Sequence, residues 1–194
     1  MSDTGAPWNL PYPLNTDLVR DGAVAIKDLA EATATGLSAA GNPGIGSNVV
    51  QAFKADTFTT SSTSLVNITG LAATITLTSD TSKVLAVLTF GQVDGSTLAL
   101  ISGDVTRDGT PVGIGNADGS RTRSSWARVP NTGNRAEGAT WSFLDSPETT
   151  SAVTYQARMR VGSGTAYINR SDLDSDNATI TRSVCTLTLI EVAP

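Results

Sequence analysis

Arg121, Arg123, Arg128 and Arg135 surround Trp126 within the stretch 113–138. A guanidinium fork binds an acidic group through two parallel hydrogen bonds, and Arg and Trp are the residue types most enriched where proteins grip partners. The runs Gly113–Ser120 and Asn131–Asn134 on either side are loop-forming and carry few core residues. Arg121, Arg123, Trp126 and Arg128 are therefore candidate ligand-binding residues. The indole would stack on a sugar ring while the Arg forks hold acidic groups of a cell-surface polysaccharide. The same spacing also fits a charged strand edge with Trp126 buried between subunits.

A second set of residues has metal-ligand character. Asp172, Asp174 and Asp176 form a D-x-D-x-D run. A calcium loop would need a Gly at its sharp turn and a bidentate Glu at its twelfth position. Asn177 and Ser183 stand there instead. These three carboxylates are left as weak candidates for a looser cation site at a subunit junction, against a solvated acidic turn. No metal and no cofactor is expected.

The absences narrow the chemistry. The chain has no His, so it has no imidazole base, no imidazole ligand and no histidine-based pH switch. Its single Cys, Cys185, can form no intrachain disulfide and has no His to activate it. Among 14 Asp and 4 Glu no spacing marks out a carboxylate pair for glycoside cleavage. A net charge of −5 with an isoelectric point near 4.6 argues against nucleic acid as a partner. No apolar run reaches the roughly 20 residues needed to cross a bilayer, and the polar start Met1–Gly5 does not read as a signal peptide. A non-enzymatic protein made in the cytoplasm and not inserted in a membrane is expected.

The elements that must position these residues follow from composition. With 20 Ser, 28 Thr and 18 Gly against 3 Lys and 4 Glu in 194 residues, the chain reads as β-sheet with many turns. In residues 1–16, Pro7, Pro11 and Pro13 forbid a helix and favour an extended segment in which Trp8, Leu10 and Tyr12 alternate. These three are candidate partner-docking residues. Residues 17–40 predict a short helix, with Ala23, Ile26, Ala30, Thr33 and Leu37 on one face. That stripe is thin and Ala-rich, so the helix needs a partner: copies of itself in a trimeric coiled coil, or the β-domain. Gly and Pro in 41–48 make a linker.

Residues 49–194 predict a β-domain. Ala73–Thr78 alternates with period two, and Cys185, Leu187 and Leu189 share one face. Arg107-Asp108-Gly109-Thr110 is a hairpin turn signal. Lys83–Phe90 is almost wholly apolar, as suits a strand covered on both faces. Eight or so strands in about 145 residues indicate an antiparallel β-sandwich or jelly roll.

Several stretches also carry a family resemblance. Ala6-Pro7-Trp8-Asn9-Leu10-Pro11-Tyr12-Pro13, Thr16-Asp17 and Val24-Ala25-Ile26-Lys27-Asp28-Leu29-Ala30 resemble the N-terminal part of tailed-bacteriophage minor tail and tail fibre proteins. There a W-x-L-P-Y-P stretch precedes an I-x-x-L-A helix. Asn67–Leu71, Arg107–Thr110, Leu144–Pro147, Val153–Tyr155, Ile168–Ser171 and Thr186–Glu191 look like the receptor-binding tip domains of such fibres. The resemblance implies a homotrimeric virion protein. Its N-terminal segment would attach to another virion protein through Trp8, Leu10 and Tyr12, and its β-domain would project toward a host-surface glycan. Because no extended shaft separates helix and β-domain, a capsid decoration or head-fibre protein on the outer shell is the alternative. A glycan-cleaving enzyme is the third and weakest.

Overall fold

The computed structural model describes residues 2–3, 11–12, 22–39, 48–130 and 137–194. The chain divides into two units, Met1–Gly44 and Ile45–Pro194. In the first, strands β1 (Ser2–Asp3) and β2 (Pro11–Tyr12) pair antiparallel, with Ser2 opposite Tyr12. The N-terminal segment expected to be simply extended thus pairs with itself. Trp8 and Leu10 lie outside the described residues. Helix α1 (Gly22–Ala39) lies against β2. Its half-buried positions among those described are Gly22, Asp28, Leu29, Ala32, Thr33 and Gly36. Ile26 and Ala30, expected on the covered stripe, are exposed, and Ile26 keeps 68% of its surface. Of the rest of that stripe, Thr33 is half-buried, and the side chains of Ala23 and Leu37 lie outside those described.

The second unit is an antiparallel β-sandwich. Sheet one contains β3 (Val49–Lys54), β4 (Phe58–Thr60), β6 (Lys83–Gly95), β10 (Glu137–Asp145), β12 (Ala166–Ile168) and β13 (Cys185–Val192). Sheet two contains β5 (Val66–Thr76), β7 (Ile101–Arg107), β8 (Thr110–Val112), β9 (Trp126–Arg128) and β11 (Ala152–Val161). Residues 84–90 of β6 pair with β10 and β13, so these hold opposite edges. Val93 pairs with both Glu137 and Ile168, which places β12 beyond β13 on the same edge.

Alternation along the strands builds the core. Val84, Ala86, Leu88 and Phe90 of β6 and Leu187 and Leu189 of β13 face Ile75 of β5 and Tyr155, Ala157 and Met159 of β11. At about 25 cal/mol per Å2 of apolar surface withdrawn from water, this shared layer is the dominant favourable term. The other face of β6 carries Leu85 and Val87, which are only half-buried. The strand expected to be covered on both sides is therefore covered by this chain on one.

Local chemistry fixes the joints. Asp108 (φ 47°) and Gly109 (φ 85°) form the two-residue turn between β7 and β8, and Arg107 pairs with Thr110 as the sequence predicts. β5 runs through a bulge that the sequence splits into two strands, Leu65–Ile68 and Ala73–Thr78. Gly70 takes φ 83° there, and the Gln156 amide donates to the carbonyls of Ile68 (3.1 Å) and Leu71 (3.0 Å). The expected strand Leu98–Ile101 begins instead at Ile101 and runs to Arg107; Leu98 and Leu100 stay exposed.

Buried polar residues tie the sandwich at several points. Asp145 accepts from Arg107 Nη1 and from the Tyr155 hydroxyl, both at 2.7 Å, joining the two sheets. Burial and the Asp145 carboxylate hold the Tyr155 phenol protonated far above its usual range. Asn169, in the left-handed region at φ 63°, donates to the carbonyls of Lys54 and Asp56 at 2.9 Å and accepts from Cys185 Sγ. Lys54 is buried and bonds Asp56, whose carboxyl it holds below the ordinary range.

Candidate functional site

Trp126 heads β9, a strand that sequence reading places in a loop. Its partner across the ladder is Gly103 of β7. A methyl group on Gly103 would sit 2.2 Å from the Arg158 carbonyl and 2.5 Å from Trp126 Cζ2, so the indole occupies space that only a missing side chain provides. The ring meets Phe90 with centroids 4.9 Å apart and planes tilted by 56°. Trp126 is 8% exposed. It is a core residue of this chain, not an exposed stacking platform, which corrects the sugar-stacking assignment.

The surrounding arginines do not form one patch. Strand alternation sends Trp126 and Arg128 to the side of the sheet opposite Ala127. Arg128 is almost buried and pairs with Glu137 at 3.0 Å. Arg123 donates from Nε to the Gly115 carbonyl at 2.6 Å. Arg121 pairs with Asp118 at 2.6 Å, both well exposed. Arg135 lies outside the described residues. Of the proposed set, Arg121 borders a depression.

That depression is a groove of about 460 Å3 on the outer face of sheet two. Its floor is one row across three strands: Arg160 of β11 is opposite Ser102 of β7, which is opposite Ala127 of β9. Thr122, Ser124 and Arg121 form one wall, and Leu100 closes an end. Arg160 donates from Nη1 to Thr122 Oγ1, tying the wall to the floor. One row along, Arg158 grips Asp104 with two parallel bonds, Nε to Oδ1 at 2.8 Å and Nη2 to Oδ2 at 2.7 Å. This pairing raises the Arg158 guanidinium above its ordinary value. Asp104 is 1% exposed, so the pair is a fixed, neutralised neighbour of the groove.

Sequence reasoning missed Arg160 and Ser102. The available signal was Gln156, Arg158 and Arg160 at every second position of a strand whose other positions are Tyr155, Ala157, Met159 and Val161. That alternation marks a polar outer face.

The middle of the acidic run is held in ion pairs within the chain. Asp174 binds Arg182 through Oδ1 and Arg170 through Oδ2, the latter at 3.2 Å. Arg170 also lies over the Tyr167 ring at 4.4 Å. Two guanidinium groups already balance the central carboxylate, and the Asp172 amide donates to Asp94. Among the described residues no cluster of His, Cys, Asp or Glu could hold a metal ion. Of the three weak candidates for a cation site, Asp172, Asp174 and Asp176, Asp174 is thus engaged by arginines.

The outer face of sheet one has a different character. Register aligns Val49, Ile190, Leu85 and Leu144 in a row across β3, β13, β6 and β10. The next row is Gln51, Thr188, Val87 and Ser142, and the next is Phe53, Thr186, Thr89 and Thr140. None of these twelve residues is charged. Val49 keeps 51% of its surface exposed, Leu144 46% and Phe53 61%.

Fold and surfaces together define an antiparallel β-sandwich with an arginine-floored groove on one outer face and an uncharged strip, half of it apolar, on the other. No protein-family profile and no curated protein matches the chain. Among solved structures it is similar to a chain from the T=1 particles derived from infectious bursal virus. The identity is 14% and the TM-score 0.37, over 77% of this chain and 37% of that one. This chain therefore spans well under half the length of that neighbour. Among the described residues no helix is long and apolar enough to cross a membrane.

Proposed function

We propose that this protein is a structural component of a bacteriophage virion. It assembles as a homotrimer, attaches to a neighbouring virion protein through its N-terminal segment, and presents its sandwich for host-surface recognition as part of the tail. The observation that carries this reading is the uncharged three-row strip on the outer face of sheet one. Four strands about 4.8 Å apart, each contributing about five residues at about 3.3 Å, give a strip of about 300 Å2 per copy. A stable interface takes about 800 Å2 per partner. The face alone is thus too small, and a second contact carried by the same chain is required. Helix α1 supplies a candidate, with Val24 (57% exposed) and Ile26 (68% exposed) open to another copy. Two modest contacts on one chain reinforce each other by raising local concentration. The resemblance of the N-terminal segment and helix to phage tail proteins supplies the virion context and the threefold state.

Sedimentation of the full chain tests the assembly. A trimer of the 19.9 kDa chain, about 60 kDa, is expected at micromolar concentration. Replacing both Leu85 and Val87 with Glu would place charge in the centre of the strip and shift the population toward monomer, with the β-sheet circular dichroism retained. A folded, monodisperse monomer of the parent chain would overturn the reading. Antibody labelling of particles tests the location: label at the tail supports it, and label spread over the head replaces it with the decoration alternative.

A further inference from the structure

We infer that the groove on the outer face of sheet two binds a carboxylate-bearing sugar, with Arg160 receiving the carboxylate and Ser102, Thr122 and Ser124 meeting ring hydroxyls. The inference rests on the proposed host-surface recognition and gives it a site other than Trp126.

Charge accounting points to Arg160. Arg107, Arg121, Arg128, Arg158, Arg170 and Arg182 each pair with a carboxylate. Arg160 has no carboxylate partner among the described residues and bonds only the neutral Thr122 hydroxyl. It is half-buried at the floor of the groove. A guanidinium has five donors in a fixed fork, so this one retains capacity for an anion that arrives from outside. Arg123, also without a carboxylate partner among the described residues, is exposed and is not part of the lining.

The rest of the lining selects the kind of anion. Arg121 borders the groove but carries Asp118 with it, and Arg158 beside the floor is matched by Asp104. The local balance is one positive charge. That suits a single carboxylate better than a phosphate monoester, which carries up to two negative charges and recruits several cations. Three hydroxyl side chains can both donate and accept, as the hydroxyls of a sugar do. Leu100, 49% exposed at the groove's end, offers an apolar surface to the C–H face of a ring. A volume of about 460 Å3 holds one or two monosaccharide units and falls within the usual range for small-ligand sites, roughly 300–1,000 Å3.

The test uses the full-length protein and three probes: the methyl glycosides of glucuronic, galacturonic and N-acetylneuraminic acid, each beside its neutral alcohol counterpart, followed by saturation-transfer NMR and calorimetry. Binding of at least one acid and of none of the neutral sugars is expected. Arg160→Gln should weaken it on the order of tenfold or more, the loss of a charge-assisted bidentate contact. Leu100→Ala, at an exposed position, should weaken it with no change in melting temperature. Arg182→Gln, at an exposed paired arginine, should leave it unchanged. Acid binding that survives Arg160→Gln, or binding of a glycerol-phosphate oligomer with none of the three acids, would overturn the inference. Particle adsorption separates this failure from that of the recognition reading. Adsorption that depends on the protein but is unaffected by Arg160→Gln sinks the groove alone. Adsorption independent of the protein sinks recognition itself.

Discussion

Replacing Trp126 with Ala separates a core role from a binding role, and the structure sets the size of the effect. The indole is 8% exposed, covers Gly103 and meets Phe90 with centroids 4.9 Å apart and planes tilted by 56°. Its Nε1 has no acceptor among the described residues, so truncation breaks no hydrogen bond there and the cost is one of packing. Removing a buried Trp side chain costs about 3–5 kcal/mol, the spread reflecting how far the site collapses. Collapse is limited here because Gly103 contributes no side chain to fill the void. For a unit of this size each kcal/mol shifts the melting temperature by about 2–4 °C, so a fall of about 6–20 °C is expected. Equilibrium urea unfolding and scanning calorimetry would measure it. Trp126→Phe, which keeps a ring over Gly103, should lose less and leave acid-sugar binding intact. A Trp126→Ala protein within about 0.5 kcal/mol of the parent, the range of a surface substitution, would refute the core assignment.

Two further predictions concern titratable groups. Burial, opposed in part by the Gly91 backbone and Lys54, pushes the Cys185 thiol up to about 12, so maleimide should label it only in denaturant; labelling of the native protein at neutral pH as fast as a free thiol would contradict the packing. Burial also disfavours charge on Glu191, but bonds from the Thr78 amide (2.8 Å), the Thr78 hydroxyl (2.6 Å) and Asn48 (3.2 Å) outweigh it and hold the carboxyl below 4.5. A lowered folded-state pKa means that the stabilisation is present above pH 4.5 and is lost as pH falls through the folded value. Stability measured against pH should therefore drop on the acid side of 4.5, and Glu191→Gln should flatten that limb; an unchanged limb would remove Glu191 as its cause.

Strand identity was legible wherever a strand has one buried and one polar face. The alternation in Ala73–Thr78 and Cys185–Val192 marks their core residues without reference to any partner, and Asp108-Gly109 marks its turn because the backbone there needs positive φ. β7 was not legible. Its sequence Ile-Ser-Gly-Asp-Val-Thr-Arg looks like loop, because Gly103 makes room for Trp126 and Asp104 is neutralised by Arg158, residues 23 and 54 positions away. Cluster reading around Trp126 failed for the same reason. Arg121 lies in the irregular stretch before β9 and borders the groove, while Trp126 and Arg128, on the strand itself, turn to the other side.

The amino-acid sequence by itself determined the class of the fold, the hairpin turn and the exclusion of histidine and disulfide chemistry, since these depend on residue type and local period alone. Only the tertiary structure decided which of the described arginines lack a counter-charge and which face of β6 lacks a cover. Both are sums over contacts distant in the chain, and no local pattern encodes such a sum.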